Sequence, residues 1–110
     1  MKKFKAAFDG MITALKDKSI RIQCFLGLIT FLVGWIFHLN SSQWIRVLLC
    51  VALVVSAEIF NTCIERLCDF VQPEYDLKIK KIKDMSAAAV LVLSMMALII
   101  ALGIGYEILS

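Results

Sequence analysis

Turn-forming and metal-binding residues are scarce in this sequence. There is one proline, Pro73, and one histidine, His38, and the four cysteines Cys24, Cys50, Cys63 and Cys68 form no CxxC pair. Without partner histidines or paired cysteines, a zinc site has no ligand set, and the thiols read as free and packed in apolar helical segments. His38 reads as an interfacial polar residue. No glycine-rich phosphate loop of the Walker type is present, so a nucleotide has to be held by scattered side chains. The charge is not strongly of one sign: 12 basic against 9 acidic residues leave a formal +3, with most basic residues flanking apolar runs. That distribution suits anionic lipid headgroups and leaves no nucleic-acid footprint. Internal repeats and low-complexity tracts are also missing, and with them any sign of a second domain. The first eighteen residues, MKKFKAAFDGMITALKDK, lack the continuous apolar stretch and cleavage site of a signal peptide and are expected to stay on the mature protein.

Apolar residues are abundant. They make up 61% of the chain, mean hydropathy is +0.86, and an ordinary soluble domain holds roughly 45–50%. A chain of 110 residues has room for one domain with three or four membrane spans of about twenty residues each. Three runs of suitable length are visible, at 22–39, 47–64 and 85–109. Trp35 and Trp44 flank the short polar stretch between the first two, as an interfacial aromatic belt would. Ahead of them, Phe4, Ala7, Phe8, Met11, Ile12 and Leu15 recur at helical spacing among lysines, so residues 1–21 are expected to hold an amphipathic helix on the membrane surface. Met85, Met95 and Met96 read as packing residues, and Gly103 and Gly105 as points of close helix approach. The fold expected is an all-α membrane protein, one domain over 1–110. Lys2, Lys3, Lys5, Lys16, Lys18 and Arg21 precede the first span, and Arg66, Lys78, Lys80, Lys81 and Lys83 lie between the second and third, with only Arg46 in the first loop. The positive-inside rule then puts the N-terminus and second loop in the cytoplasm.

One feature of the second span points to chemistry. Glu58 stands in an otherwise apolar stretch, where an acidic residue costs about 2.5–3.5 kcal/mol on insertion. Asn61, Glu65 and Asp69 follow at offsets of three, seven and eleven, which at about 100° per residue puts all four on one helix face. The result is a polar stripe running from membrane depth to the surface. A polar helix contact or a snorkelling end accounts for Glu65 and Asp69 but not for Glu58. Aligned carboxylates suit a hard divalent cation such as magnesium, and the neighbouring Lys80, Lys81 and Lys83 suit phosphate oxygens. Periodicity alone leaves transporter and enzyme both open.

The stretch AEIFNTCIERLCDF, then EY, then KDMSAAAVLV, resembles the prokaryotic diacylglycerol kinase family, which holds diacylglycerol kinases and undecaprenol kinases. The pattern E-x-x-N-[ST]-A-I-E-x-x-x-D, followed by K-D-x-x-[SA]-A-A-V, is matched in order and spacing from Glu58 to Val90, with Cys63 in place of the first alanine. FKAAFDG and DKSIRIQ also resemble the family's N-terminal region. The resemblance implies a homotrimer in a bacterial inner membrane, with ATP and magnesium at the cytoplasmic edge and a lipid alcohol entering from the side. It implies Glu58 as general base, Glu65 as metal ligand, Asn61 and Asp69 as active-site polar groups, and Lys83 with Asp84, Glu74 and Tyr75 near the nucleotide. The family's second metal-binding glutamate is replaced here by Asp17, whose reach is one carbon shorter. NT before CIE, and PEY, lean toward undecaprenol as substrate; KDM with SAAAV leans toward diacylglycerol; undecaprenol is placed first. A small multidrug or cation transporter is the rival reading, but it would carry its acid in the first span, which here has no charge. A structural membrane subunit leaves the stripe unexplained.

Overall fold

The computed structural model describes residues 2–110, which form four helices: α1 (Lys2–Ala14), α2 (Lys18–Ile36), α3 (Ser41–Val71) and α4 (Leu77–Leu109). The last three are long and apolar enough to cross a membrane. α3 is the centre of the bundle, packed on α4 along much of its length and on α2 over a shorter stretch.

Local chemistry sets each boundary. Asp17 caps α2 by accepting from the Ser19 N–H at 3.0 Å. Asn40 caps α3 in a reciprocal box with Gln43: Asn40 Oδ1 accepts from the Gln43 N–H at 2.9 Å, and Gln43 Oε1 accepts from the Asn40 N–H at 3.0 Å. Asp76 caps α4 by accepting from the Lys78 and Ile79 N–H groups at 2.8 and 3.2 Å. α2 ends in a Schellman turn: His38 takes a left-handed φ of 56°, its N–H donates to Trp35 O and the Leu39 N–H to Gly34 O, both at 3.2 Å. His38 is therefore a helix terminator. α3 stops at Val71 because Pro73 forces Gln72 into extended backbone, φ −141°, ψ 90°.

These caps move the expected limits. α2 begins at Lys18, inside the segment assigned to the surface helix, and ends at Ile36, three residues before the expected Leu39. α1 is shorter than expected, closing at Ala14 before a turn that delivers Asp17 to the α2 N-terminus. α3 and α4 extend well beyond 47–64 and 85–109. At about 1.5 Å per residue α2 matches the roughly 30 Å hydrocarbon core, while α3 and α4 overshoot it by about 15–20 Å. Their overshoot carries the charged sequence between the spans as two packed helices joined at 72–76.

At the opposite end, Glu107 of α4 receives a two-pronged ion pair from Arg46, 2.7 Å from Nη1 and 3.0 Å from Nη2, and a hydrogen bond from Gln43 Nε2 at 3.2 Å. This clamp joins the start of α3 to the end of α4. Gly34 and Gly27 are where helices meet most closely: a Cβ at Gly34 would lie 2.9 Å from Leu39 and from Trp44, and one at Gly27 3.0 Å from Val51. Gly103 and Gly105 are not points of close approach between helices of this chain, for a Cβ at either meets nothing of it within 4 Å. Across α3, a continuous apolar groove lies between α2 and α4, with cavities of about 170 and 300 Å³ that share Thr30, Val47, Ala101 and Ile104.

Gly34→Ala should destabilise the bundle by about 1–3 kcal/mol through overpacking against Trp44, while Gly103→Ala should be neutral or slightly stabilising. Denaturant unfolding in mixed micelles measures both. A Gly34→Ala protein as stable as its parent would contradict the packing described.

Candidate functional site

The polar stripe forms as its spacing requires, on the face of α3 turned into the bundle. Glu58 is 9% exposed and Asn61 8% exposed, Glu65 is half-buried, and Asp69 is open to solvent. Burial falls along the stripe because α3 emerges from the apolar part of the bundle toward its charged end. Asn61 Nδ2 donates to Glu65 Oε1 at 2.7 Å, one turn on. Asn61 Oδ1 is buried without a partner among the described residues.

The fold adds groups from two other elements. Asp17, at the α2 N-terminus, comes close enough to Glu58 to act on it electrostatically, as does Glu65. Asp17 Oδ2 also faces Arg66 Nη2 at 3.6 Å, so its two oxygens are divided between helix cap and ion pair. From α4, Lys83 Nζ donates to Asp69 Oδ1 at 2.7 Å, with Glu65 also within its electrostatic reach. Lys83 therefore fastens the two overshooting helices together beside the stripe.

Other expected residues lie further out. Asp84 accepts from Lys80 Nζ at 2.7 Å one turn away on α4, in an exposed pair, and Lys81 is exposed. Glu74 and Tyr75 sit in the exposed connection between α3 and α4, where Tyr75 acts electrostatically on Lys80. Glu74, Tyr75 and Asp84 thus rim the charged end, with no hydrogen bond or ion pair to the stripe among the described residues. Arg66, read from the sequence only as an orienting charge, is the cation that meets Asp17. Thr62, also buried, went unremarked, although its offset of four from Glu58 puts it on the same side of the helix.

The donor set is oxygen only. No three His, Cys, Asp or Glu groups assemble at metal-ligand spacing among the described residues. Magnesium is usually held by one or two carboxylates, with substrate phosphates and water filling the remaining positions. Glu65 backed by Asn61, with Asp17 nearby, fits that mode, and the unpartnered amide oxygen is the kind of atom such an ion or its water would engage.

The prokaryotic diacylglycerol kinase family model matches residues 5–104. The chain is also similar to the undecaprenol kinase of Bacillus subtilis (strain 168), 26% identical over 90 residues that span 82% of this chain and 73% of that protein.

As an N-cap, Asp17 should tolerate Asn and not Ala: Asp17→Ala is expected to cost about 1 kcal/mol of stability, and Asp17→Asn much less. Thermal unfolding in detergent without metal reads the difference. Equal losses in both variants would show that the Arg66 pair, and not the cap, is what Asp17 contributes.

Proposed function

The chain belongs to the prokaryotic diacylglycerol kinase family, and from that premise we propose that it transfers the γ-phosphoryl group of ATP, with magnesium, to the primary hydroxyl of a membrane lipid alcohol. A kinase of this family requires a nucleotide donor and a lipid acceptor. The observation that carries the reading is Glu58, a buried carboxylate that heads the polar stripe just beyond the apolar groove. The groove reaches Val54 and Val55, one helical turn short of Glu58. A lipid chain lying in it would bring its hydroxyl to Glu58 while the stripe leads outward to the charged end.

Glu58 is the general base in this reading. The hydroxyl oxygen forms a bond to the γ-phosphorus as the bond from that phosphorus to the bridging oxygen breaks, ADP leaves, and the hydroxyl proton passes to Glu58. Phosphoryl transfer is chiefly positioning and charge neutralisation, so most of the other residues hold and screen. Glu65 is the principal metal-holding carboxylate. Asp17 joins it by exchanging the long contact with Arg66. Magnesium bound there would neutralise triphosphate oxygens. Lys83, already anchored at Asp69, supplies positive charge to the phosphates, and Asp84, Glu74 and Tyr75 border the nucleotide.

Undecaprenol is favoured over diacylglycerol, because the NT and PEY segments lean that way and the similar Bacillus protein is an undecaprenol kinase. The working unit is a homotrimer, since three thin spans enclose little by themselves. α1 carries exposed Phe4, Phe8, Met11 and Ile12 and lies on the surface of the bacterial cytoplasmic membrane. The N-terminus and the α3–α4 connection face the cytoplasm, where ATP is available.

Glu58→Gln should lower turnover by about 10²–10⁴-fold with nucleotide affinity nearly unchanged. Glu65→Gln should raise the magnesium concentration needed for half-maximal rate. Radiolabelled ATP with each lipid in turn, across a magnesium titration, measures both. Near-normal turnover by folded Glu58→Gln would refute the base, and full activity in excess chelator would refute the metal.

A further inference from the structure

Asn61 leaves a question that the phosphoryl-transfer scheme does not answer. The residue is 8% exposed, and its Oδ1 has no hydrogen-bond partner among the described residues. The direction of that oxygen is fixed from the other side of the amide. Nδ2 donates to Glu65 Oε1 at 2.7 Å, and reversing the amide would turn an oxygen lone pair onto a carboxylate. Bulk water cannot satisfy an atom so enclosed, and a buried acceptor without a donor is costly.

The neighbours do not supply a donor. Glu58 lies one turn earlier on the same face and Glu65 one turn later, and Asp17 comes close to Glu58 from α2. When ionised, all three are acceptors only. The cations nearby are engaged at the edge, Arg66 with Asp17 and Lys83 with Asp69. The stripe therefore offers carboxylate acceptors on either side of an amide oxygen that finds no donor, and the cations beside it are already engaged. A hard divalent cation meets that deficit, because it binds carboxylate and amide oxygens directly and turns the hydrogens of its own water toward acceptors.

We propose that Asn61 is a positioning residue for a divalent-cation site: Nδ2 holds Glu65 Oε1, leaving Oε2 free for the ion, while Oδ1 completes the ion's surroundings directly or through one bound water. Partners that hold a metal's carboxylate ligand in this way typically govern affinity by about 10–100-fold. The inference rests on the kinase reading only for the identity of the ion as magnesium.

Mn2+ binding to the full-length protein in detergent, followed by electron paramagnetic resonance with and without a non-hydrolysable ATP analogue, tests the proposal. Asn61→Leu, close in volume, should weaken Mn2+ binding about 10–100-fold. Its metal-free melting temperature should change little, because removing the unpaired Oδ1 offsets the loss of the Nδ2 bond to Glu65. Unchanged Mn2+ affinity in folded Asn61→Leu would overturn the proposal, as would wild-type protein that binds no Mn2+. A second measurement needs no variant. The chain has two asparagines, Asn40 and Asn61, which lie toward opposite ends of α3, so asparagine-selective 15N labelling gives a site and an internal control. Added Mg2+ should shift the Asn61 side-chain amide and leave that of Asn40 in place. A resonance that ignores Mg2+ but moves on acidification would make the protonated form of Glu58 the partner of Oδ1 and overturn the proposal. The kinase reading stands or falls separately. Lipid phosphorylation together with Asn61-independent Mn2+ binding would sink this inference alone; Asn61-dependent Mn2+ binding without lipid phosphorylation would sink only the kinase.

Discussion

A backbone that crosses hydrocarbon has to satisfy its own N–H and C=O groups, and in this chain that constraint produces three uninterrupted helices of unequal length. α2 is about as long as the hydrocarbon is thick, whereas α3 and α4 continue past it. Because the helix continues, the 3.6-residue period also continues, and Glu58, Asn61, Glu65 and Asp69 remain in line from the apolar interior to the charged end. A break in α3 after its apolar run would have separated Glu58 from Glu65. The alignment of chemistry with depth follows from an unbroken helix.

Each end of the bundle has its own fastening. At the tryptophan-flanked end, Arg46 and Gln43 hold Glu107 where both α3 and α4 are anchored by side-chain contacts. At the other end, Lys83 holds Asp69, and Asp17 both begins α2 and meets Arg66 of α3. Between them the packing is apolar, with Phe31 and Trp44 rings 6.1 Å apart joining α2 to α3 and Gly27 and Gly34 admitting close contact. α2 and α4 flank α3 with an apolar groove between them. The apolar groove ends one helical turn short of the buried Glu58, where the polar stripe begins.

Asp17 illustrates how a single residue joins folding to chemistry. It caps a helix, which ties it to the backbone of α2, and it brings a negative charge within electrostatic reach of Glu58. Carboxylates drawn together repel one another, and Arg66 and Lys83 at the margin relieve only part of that repulsion. Along the stripe itself, acidic groups outnumber the cations paired to them, although the surrounding end of the bundle is rich in lysine.

Hydropathy and helical period in the sequence alone determined three spans, a stripe on one face of the second, and a family resemblance resting on rare polar residues at fixed offsets. Those features are local, since residues three, four, seven and eleven apart share a face whatever surrounds the helix. Cap positions were less legible: Asp17, Asn40 and Asp76 have the chemistry, but which of several polar residues begins a helix depends on where its neighbour packs. The groupings that cross between helices were decided by tertiary structure. Arg46 with Glu107 and Arg66 with Asp17 join residues 61 and 49 positions apart, and the site of close approach fell at Gly27 and Gly34, away from Gly103 and Gly105, because only the former face another helix of this chain. Periodicity assigns a side chain to a face. The relative rotation and offset of packed helices decide what that face meets, and those are set by side-chain interlocking that no single segment contains.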